Sequence, residues 1–527
     1  MATWITEGRK AGLLLAALLA MAACSGPAAP EQAEPGEDQP VAEPAVLRAV
    51  TMGTEPAAGM AAFYDQLDAL TLRDLGVRVR FDYMPWGDEK NQIGRAIVAK
   101  EYDLYVGGAW TAFSAYATKN AFVDLAPLLR HTPELVAHYR GQLDNVKIGG
   151  KLYGIPQLGK AGAGGEGVLY REDLREAWGL PEIRDLKTLE QYLYRAREVY
   201  ATVPMINDKR FAENLWTMIA GGRYHTVAKY YAVAPIDDPY TVQSLYDTPE
   251  YEAVVRKAKQ WYDDGIVDPD ILAATANETG KTLRLMLEDR KPLEFNNHFG
   301  AVSSGYIGAL KRAHPNYEYG WYDYVYHTYP EQLYLPQLSA GTSTMISVGS
   351  HSAHAETALR FIELAHTNQT YYDLLQFGVE GEHYERYDGL IAYDGIDSAN
   401  QKPGWTGLYD AYMQPPERYP GEWQAIHDEL VREAGPELAA RNGASPYEGF
   451  AFNTANLTET MAQLEQVRAQ YVQPLAAGVS ADPETELQVV QQRLGSAGMQ
   501  AYLSELQEQL NHYAANRPVA EASRLQP

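Results

Sequence analysis

The sequence predicts an α/β fold built on a mostly parallel sheet, carried behind an export leader and an unstructured tether. Three observations carry that prediction. From about Ala45 onward, short β-rich runs alternate with stretches of helical periodicity. The only cysteine among 527 residues, Cys24, closes an apolar run that follows the basic pair Arg9 and Lys10. After it, Ser25 to Val46 is dominated by Pro, Ala, Glu and Gln and contains no aromatic residue.

The leader comes first in the chain. A charged start, the apolar run Ala11 to Ala23 and small residues ahead of a cut are the marks of a secretory signal, and the run is too short to cross a bilayer as a helix. Leu19-Ala20-Met21-Ala22-Ala23-Cys24 resembles a bacterial lipobox, with Met21 where Leu is usual. That resemblance implies removal of residues 1–23 and acylation of Cys24; a buried structural cysteine is the competing reading. Residues 24–46 then form the acylated cysteine and a tether with too little to bury to order itself, with a reach on the order of 60 Å at about 3 Å per residue. No cysteine follows residue 24, so the mature fold forms no internal disulfide and rests on core burial.

The formal charge of −25 argues against nucleic acid and anionic headgroups as partners, because either would be approached against the protein's own field. Membrane contact then rests on the lipid, and several acyl chains hold stably where one binds only marginally. The length is ample for two or three domain-sized units.

Within the α/β region, Leu47 to Met52 reads as a first strand and Met60 to Leu75 as a helix with Phe63, Leu67, Leu70 and Leu75 on one face. Val77 to Phe81 alternates as a second strand should. A helix over Asn91 to Lys100 follows, then a third strand, Tyr102 to Val106, ending in Gly107-Gly108-Ala109-Trp110. Ligands of open α/β sheets sit beyond the carboxyl ends of the strands, which points to the loops at Gly53 to Pro56 and Gly107 to Trp110.

These segments, in order, carry a resemblance. Val79 to Asp88 (VRFDYMPWGD), Tyr102 to Trp110 (YDLYVGGAW), Ala121 to Leu129 (AFVDLAPLL) and Ile148 to Gln157 (IGGKLYGIPQ) resemble the extracellular solute-binding proteins, family 1-like, of sugar-type ABC importers. Thr357 to His366 resembles the helix that opens the last part of such receptors. Phe377 to Tyr384 (FGVEGEHY), Ser445 to Asn453 (SPYEGFAFN) and Leu494 to Leu510 resemble the large lipoprotein subgroup common in Gram-positive bacteria. The resemblance implies a two-lobed, periplasmic-binding-protein-like fold of type II with an interlobe cleft and a hinge. By analogy, lobe one is residues 46–156 plus 292–340, and lobe two is 157–291 plus 341–527. Gln157 to Gly167, with glycines at 159, 162, 164, 165 and 167, fits one crossing, or a flexible loop beside it. The resemblance also implies a carbohydrate ligand, ABC permease subunits as partners, a monomer, and a place on the outer face of a cell membrane, with a Gram-positive surface favoured.

Ligand candidates follow. The 38 tyrosines and 9 tryptophans, against 11 phenylalanines, favour aromatic faces with polar tips, which suit sugar rings and hydroxyls. Trp110 ends a strand in a glycine-rich turn, where stacking on a ligand competes with lobe packing. Glu55 and Gln157 occupy positions at which similar receptors place polar contacts, against a solvated loop acid for Glu55. Asn296 and Asn297 end a strand-like run from Pro292. Trp405, in Pro403-Gly404-Trp405-Thr406-Gly407, is a stacking platform of lobe two or a turn anchor. Glu382 and Tyr384 lie in the subgroup's motif. Trp86, after Pro85, is read as core rather than ligand contact.

Catalytic and cofactor motifs are weak. Gly280-Lys281-Thr282 has Thr275 where a phosphate-binding loop needs its opening glycine. His351 and His354 near Glu356 begin the matched helix, and Asp263, Asp264, Asp268 and Asp270 lack the spacing of a calcium loop. No cofactor or metal is expected, and no enzyme activity. The alternatives are a glycan-degrading enzyme, which needs paired carboxylates about 5 to 9 Å apart, and a peptide receptor using Glu55, Glu382 and the overall acidity for cationic groups.

Overall fold

Val77 to Met84 alternates apolar and polar side chains, and in the computed structural model it lies beside Ala45 to Met52 as parallel strands in register, from Ala45 opposite Val77 to Met52 opposite Met84. The structure describes residues 43–516 except 87, 140–141, 159–165, 274–277, 303–305, 325–343, 394–395, 397–402, 411, 420–422, 430–445, 448–449 and 451. The leader, Cys24 and nearly all of the tether therefore lie outside the described residues. So do 159–165, the centre of the glycine-rich stretch expected to be a crossing or a loop beside it.

Thirteen strands are numbered along the described chain. The first sheet has the order β2-β1-β3-β11-β4, with β1 Ala45–Met52, β2 Val77–Met84, β3 Leu104–Gly107, β4 Ile155–Pro156 and β11 Met345–Val348. β1, β2 and β3 run parallel, whereas β11 is antiparallel to both β3 and β4, with Met345 opposite Gly107 and Pro156. One edge of this sheet thus collects the carboxyl ends of β1 to β4 and the start of β11. The helix Met60–Leu75, as expected from its periodicity, buries Phe63 and Leu67, and Glu89–Ala99 buries Ile93, Ala96 and Ile97. These join Leu47, Val79, Leu104, Ile346, Phe361 and Trp405 in one core.

The second sheet has the order β10-β5-β9, with β5 Glu166–Arg171, β9 Leu293–His298 and β10 Tyr319–Asp323, all antiparallel. Gly167 is required there: a Cβ would sit 2.5 Å from Trp321 Cζ2 and from the Tyr322 carbonyl. A second core, with Val168, Leu189, Tyr192, Phe211, Trp261 and Phe295, backs this sheet. Pairing corrects the expected lobe boundaries. The described strands of 292–340 do not join the first sheet: β9 and β10 flank β5 in the second, while β11 and the helices Ala355–Thr367 and Gln369–Phe377 pack on the first core.

A third core joins the small sheet of β6 Tyr224–Ala228, β7 Ala232–Pro235 and β8 Gln243–Ser244 to the C-terminal helices Thr458–Val467, Pro483–Ser496 and Met499–Asn516. Local sequence sets the helix starts. Thr248 and Asp482 each cap a helix that begins with proline, accepting the backbone N–H of Tyr251 and Thr485 at 3.2 Å. β12 Glu385–Tyr387 and β13 Leu390–Ala392 form a separate hairpin.

Leu158 follows β4 of the first sheet, and the described chain resumes at Glu166, where β5 begins. Leu158 is fastened to a later stretch of chain: its N–H donates to the Tyr409 carbonyl at 2.9 Å, and it bridges Asp410. Asp410 is fully buried and bonded to His138, with His366 Nδ1 3.6 Å away. Burial works to raise its carboxyl, but His366 and His138 outweigh that and hold it below the ordinary range. Beyond Arg418, Tyr419 meets Phe299 of the second lobe edge to face and Trp423 stacks on it.

Candidate functional site

Parallel pairing places the loops after β1, β2 and β3 on one edge, and four predicted positions lie there. Glu55 is exposed in the loop after β1. Its charge acts on the hydroxyls of Tyr64 and Tyr83, which burial first of all pushes above their ordinary range. Trp110 is half-buried in the turn after β3; its indole N–H donates to Thr344 Oγ1 at 3.3 Å. The Gln157 N–H donates to the Thr344 carbonyl at 3.2 Å, so Thr344, just ahead of β11, ties Trp110 and Gln157 to one point. Glu382 is exposed on the loop whose His383 packs against Gly59, in the turn that leads from β1 to its helix.

Trp86 differs from its sequence reading. It is 53% exposed, and its ring centroid lies 5.6 Å from that of Trp110 at an interplanar angle of 47°. Two indoles thus stand together beyond β2 and β3, the parallel strands that flank β1. Trp405 is the opposite case. It is 3% exposed and belongs to the first lobe, with Phe81 and Phe361 at 5.5 and 5.4 Å, so its faces have no room for a ligand. Its turn is laced to β1 through Thr406 Oγ1, which accepts from the Met52 N–H and donates to the Met52 carbonyl, both at 3.0 Å. Tyr384 is likewise core, packed on Phe377.

Further polar groups cluster in the second lobe. The crossing end of its sheet carries Glu166, His298 and, just past β10, Tyr324, whose hydroxyl donates to Glu166 Oε2 at 3.1 Å. Asn296 donates to Asp208 Oδ2 at 3.1 Å, and Asp208 is held by Arg210 at 2.6 Å. Burial works to raise the Asp208 carboxyl; the hydrogen bonds and charge of Arg210, helped by Asn296, bring it below its ordinary range. Asn297 is buried, its Oδ1 accepting the His298 N–H at 2.8 Å. Asn296 and Asn297 therefore belong to the second lobe, not to the first as expected.

Sequence reasoning missed one group altogether. In the turn between β6 and β7, Lys229 pairs with Glu213 at 3.3 Å. Tyr230 beside it has φ 73°, the left-handed region that a bulky residue enters only under constraint. Arg468 lies 4.5 Å from the Tyr230 ring centroid and binds Glu465 through two hydrogen bonds of 2.7 and 2.8 Å, while Tyr231 donates to the same carboxylate at 3.0 Å. A five-residue π-helix begins at Arg468, a feature frequent at functional sites. Burial opposes ionisation of Glu465, and Arg468 overcomes it; the charge of Lys90, four residues beyond Trp86 in the first lobe, adds to the effect. The only sequence trace was an acid and an arginine three apart on a helix, a pattern ordinary on any surface.

The motif candidates resolve differently. Thr282 lies buried within the helix Glu278–Leu287, bonded to Asn207 at 3.1 Å, which is not a phosphate-loop geometry. Glu356 lies 3.4 Å from His131.

Two sheet-centred lobes, with an indole pair beyond the strands of one and a hydrogen-bonded polar group at the β5 start of the other, fit a two-lobed solute-binding protein. The family described as bacterial extracellular solute-binding protein matches residues 66–379, and the chain belongs to it. A second description, domain of unknown function (DUF3502), matches residues 446–515. A curated relative, the carbohydrate ABC transporter substrate-binding protein of Streptococcus pneumoniae serotype 4 (strain ATCC BAA-334 / TIGR4), is 19% identical over 461 residues, 84% of this chain and 86% of the relative. Among solved structures, the N-glycan transport solute binding protein NgtS of Streptococcus pneumoniae with Man5GlcNAc has a TM-score of 0.66 at 18% identity, over 90% of this chain and 100% of that one. The alginate-binding protein AlgQ2 without calcium has 0.65 at 15%, over 89% and 99%. At such identities these structures establish the fold.

Proposed function

We propose that this protein is a lipid-anchored, extracytoplasmic receptor that captures an oligosaccharide between its lobes and delivers it to an ABC permease. The observation that carries the reading is the Trp86–Trp110 pair beyond β2 and β3, with Glu55 and Gln157 on the same edge. Indole faces pack on the C–H faces of sugar rings, and carboxylates and amides take the hydroxyls. The likeness to a carbohydrate ABC transporter relative and to glycan-binding folds supports the same class. A ligand touching both walls favours the closed arrangement because only that arrangement offers both sets of contacts. Anchoring rests on Cys24; no helix among the described residues is long and apolar enough to cross a membrane.

The test is calorimetric titration with an oligosaccharide panel, followed by product analysis. Binding with the glycan intact is expected. Cleavage of the glycan would make the chain an enzyme, and binding of peptides alone would replace the ligand class. Anchoring is tested separately: radiolabelled palmitate incorporated by the full chain in a bacterial host should be lost in Cys24→Ser, and equal labelling of both would remove the anchor.

A further inference from the structure

Three successive residues at the end of β4 are held from different directions. The Pro156 carbonyl accepts from Tyr139 Oη, the Gln157 N–H donates to the Thr344 carbonyl at 3.2 Å, and the Leu158 N–H donates to the Tyr409 carbonyl at 2.9 Å. The outer two lead back to one buried group. Asp410, next to Tyr409, is bonded to His138 Nε2 and lies 3.6 Å from His366 Nδ1, which is itself 3.3 Å from Tyr139 Oη. Tyr139, His366 and Asp410 are fully buried. The bonding places the protons. Tyr139 gives its one hydroxyl hydrogen to Pro156 and can only accept from His366, so the neutral ring carries its hydrogen on Nδ1. His366 Nε2 is then a bare lone pair, buried without a partner among the described residues. A proton added to the ring goes there, to a dry position with no acceptor.

We propose that His366, Asp410, His138 and Tyr139 form a proton-operated latch that positions Gln157 for its ligand, so that acid weakens oligosaccharide binding. The proposal rests on the receptor reading above, in which Gln157 contacts the glycan. While the His366 ring is neutral, its Nδ1–H lies between Tyr139 Oη and the Asp410 carboxylate and joins the two holds that flank Gln157. An imidazolium adds a buried donor with nothing to accept from it and competes with His138 for Asp410. The group relieves both by opening, which frees the Pro156 carbonyl and the stretch at Tyr409, and Gln157 loses its place. Contacts through Gln157 favour the closed group, so glycan and proton weaken each other by the same factor. Among the described residues, the charged groups acting on His366 are Asp410, in the loop after Trp405, and His138, on the helix Pro133–Tyr139. Glu363, on the same helix as His366, is occupied by the N–H groups of Glu134 and Leu135 at 3.0 and 3.1 Å. Burial pushes the hydroxyls of Tyr139, Tyr372 and Tyr409 up, so they stay neutral. Burial also holds His366 below the usual imidazole range, although Asp410 works against it, which keeps the latch shut at neutral pH.

The experiment is calorimetric titration of the full chain with neutral gluco-, manno- and N-acetylglucosamine-containing oligosaccharides, whose lack of ionisable groups leaves the protein as the source of any pH effect. We expect affinity about tenfold or more weaker at about pH 5 than at about pH 7.5, with protons released as the glycan binds. His366→Asn keeps an N–H near the Nδ1 position and does not titrate, so it should bind at neutral pH and lose most of this pH dependence. Tyr139→Phe, which removes the hold on Pro156, should bind roughly three- to tenfold more weakly at neutral pH with a flat profile, and it decides the matter where His366→Asn fails to fold. A merely structural role would lower the melting temperature of both and leave their pH profiles of affinity parallel to that of the unaltered chain. Parallel profiles in either folded variant, or equal affinity of the unaltered chain at both pH values, would overturn the latch and leave the receptor reading intact. Absence of binding to every oligosaccharide at both pH values would overturn the two together.

Discussion

Three tryptophans show how far a single residue is legible before its neighbours are known. Trp110 was placed by its strand end, and it lies where that logic put it. Trp86 and Trp405 exchanged places with their readings, because Pro85-Trp86 resembles a buried strand end and a Pro-Gly-Trp-Thr-Gly turn resembles a surface one. Burial is decided by Phe81 and Phe361, which come from other parts of the chain. The roles separate by measurement. Trp86→Ala and Trp110→Ala should each weaken oligosaccharide binding by roughly 1–3 kcal/mol in calorimetry with the melting temperature nearly unchanged. Trp405→Ala should instead cost about 3–5 kcal/mol of stability in denaturant unfolding, from the cavity it leaves. Equal losses of affinity without destabilisation in all three would contradict this division. A buried acid gives a pH signature. Burial pushes the Glu294 carboxyl, 3% exposed, from 4.5 up to about 7. The folded state then binds more protons than the unfolded one between those values, so this group favours folding at low pH, and that contribution is lost as pH rises from about 4.5 through about 7. Glu294→Gln should flatten this fall in melting temperature, and parallel curves for the two proteins would show the carboxyl ionised throughout.

Elements were legible where the signal is local. The helix Met60–Leu75 and strands β1 to β3 follow from periodicities of 3.6 and 2 and lie within a few residues of their expected limits. Strand partners were not, since β11 reaches β3 and β4 across more than 180 intervening residues, about as non-local as pairing becomes. The group around Tyr230 was not legible for the same reason: Arg468 reaches the Tyr230 ring across more than 230 residues of chain. Caps are the local contribution of the C-terminal region. Thr248→Ala should lower stability by about 1 kcal/mol and Asp482→Ala should lower it in the same direction, each read as a shift in denaturation midpoint at constant slope, while glycan affinity stays within error. A change of slope would mean that the helices do more than pack.

At the scale of the whole molecule, the reading predicts compaction. Small-angle scattering of the chain with a saturating bound oligosaccharide should show a smaller radius of gyration than without it. Trp86→Ala with Trp110→Ala should require more glycan to reach the same compact form, since the contacts that favour it are fewer. Identical scattering with and without bound glycan would remove lobe closure from the mechanism. The fold class was readable at this scale because many ordinary segments occurred in one order, whereas the route of the chain between lobes was not, because it is set by strand pairing. One detail of that route bears on how the molecule moves. The backbone bond from Leu158 to Tyr409 and the buried aspartate beside it tie two distant stretches of chain together at the edge of the first lobe, so the two are expected to turn as leaves of one spring rather than as loose strings. A spring of that kind bends about one axis and resists twist. Opening should therefore retrace closing along a single coordinate, giving one relaxation time when the distance across the cleft is followed by fluorescence. Leu158→Pro, which removes the donor N–H, should split that relaxation into several.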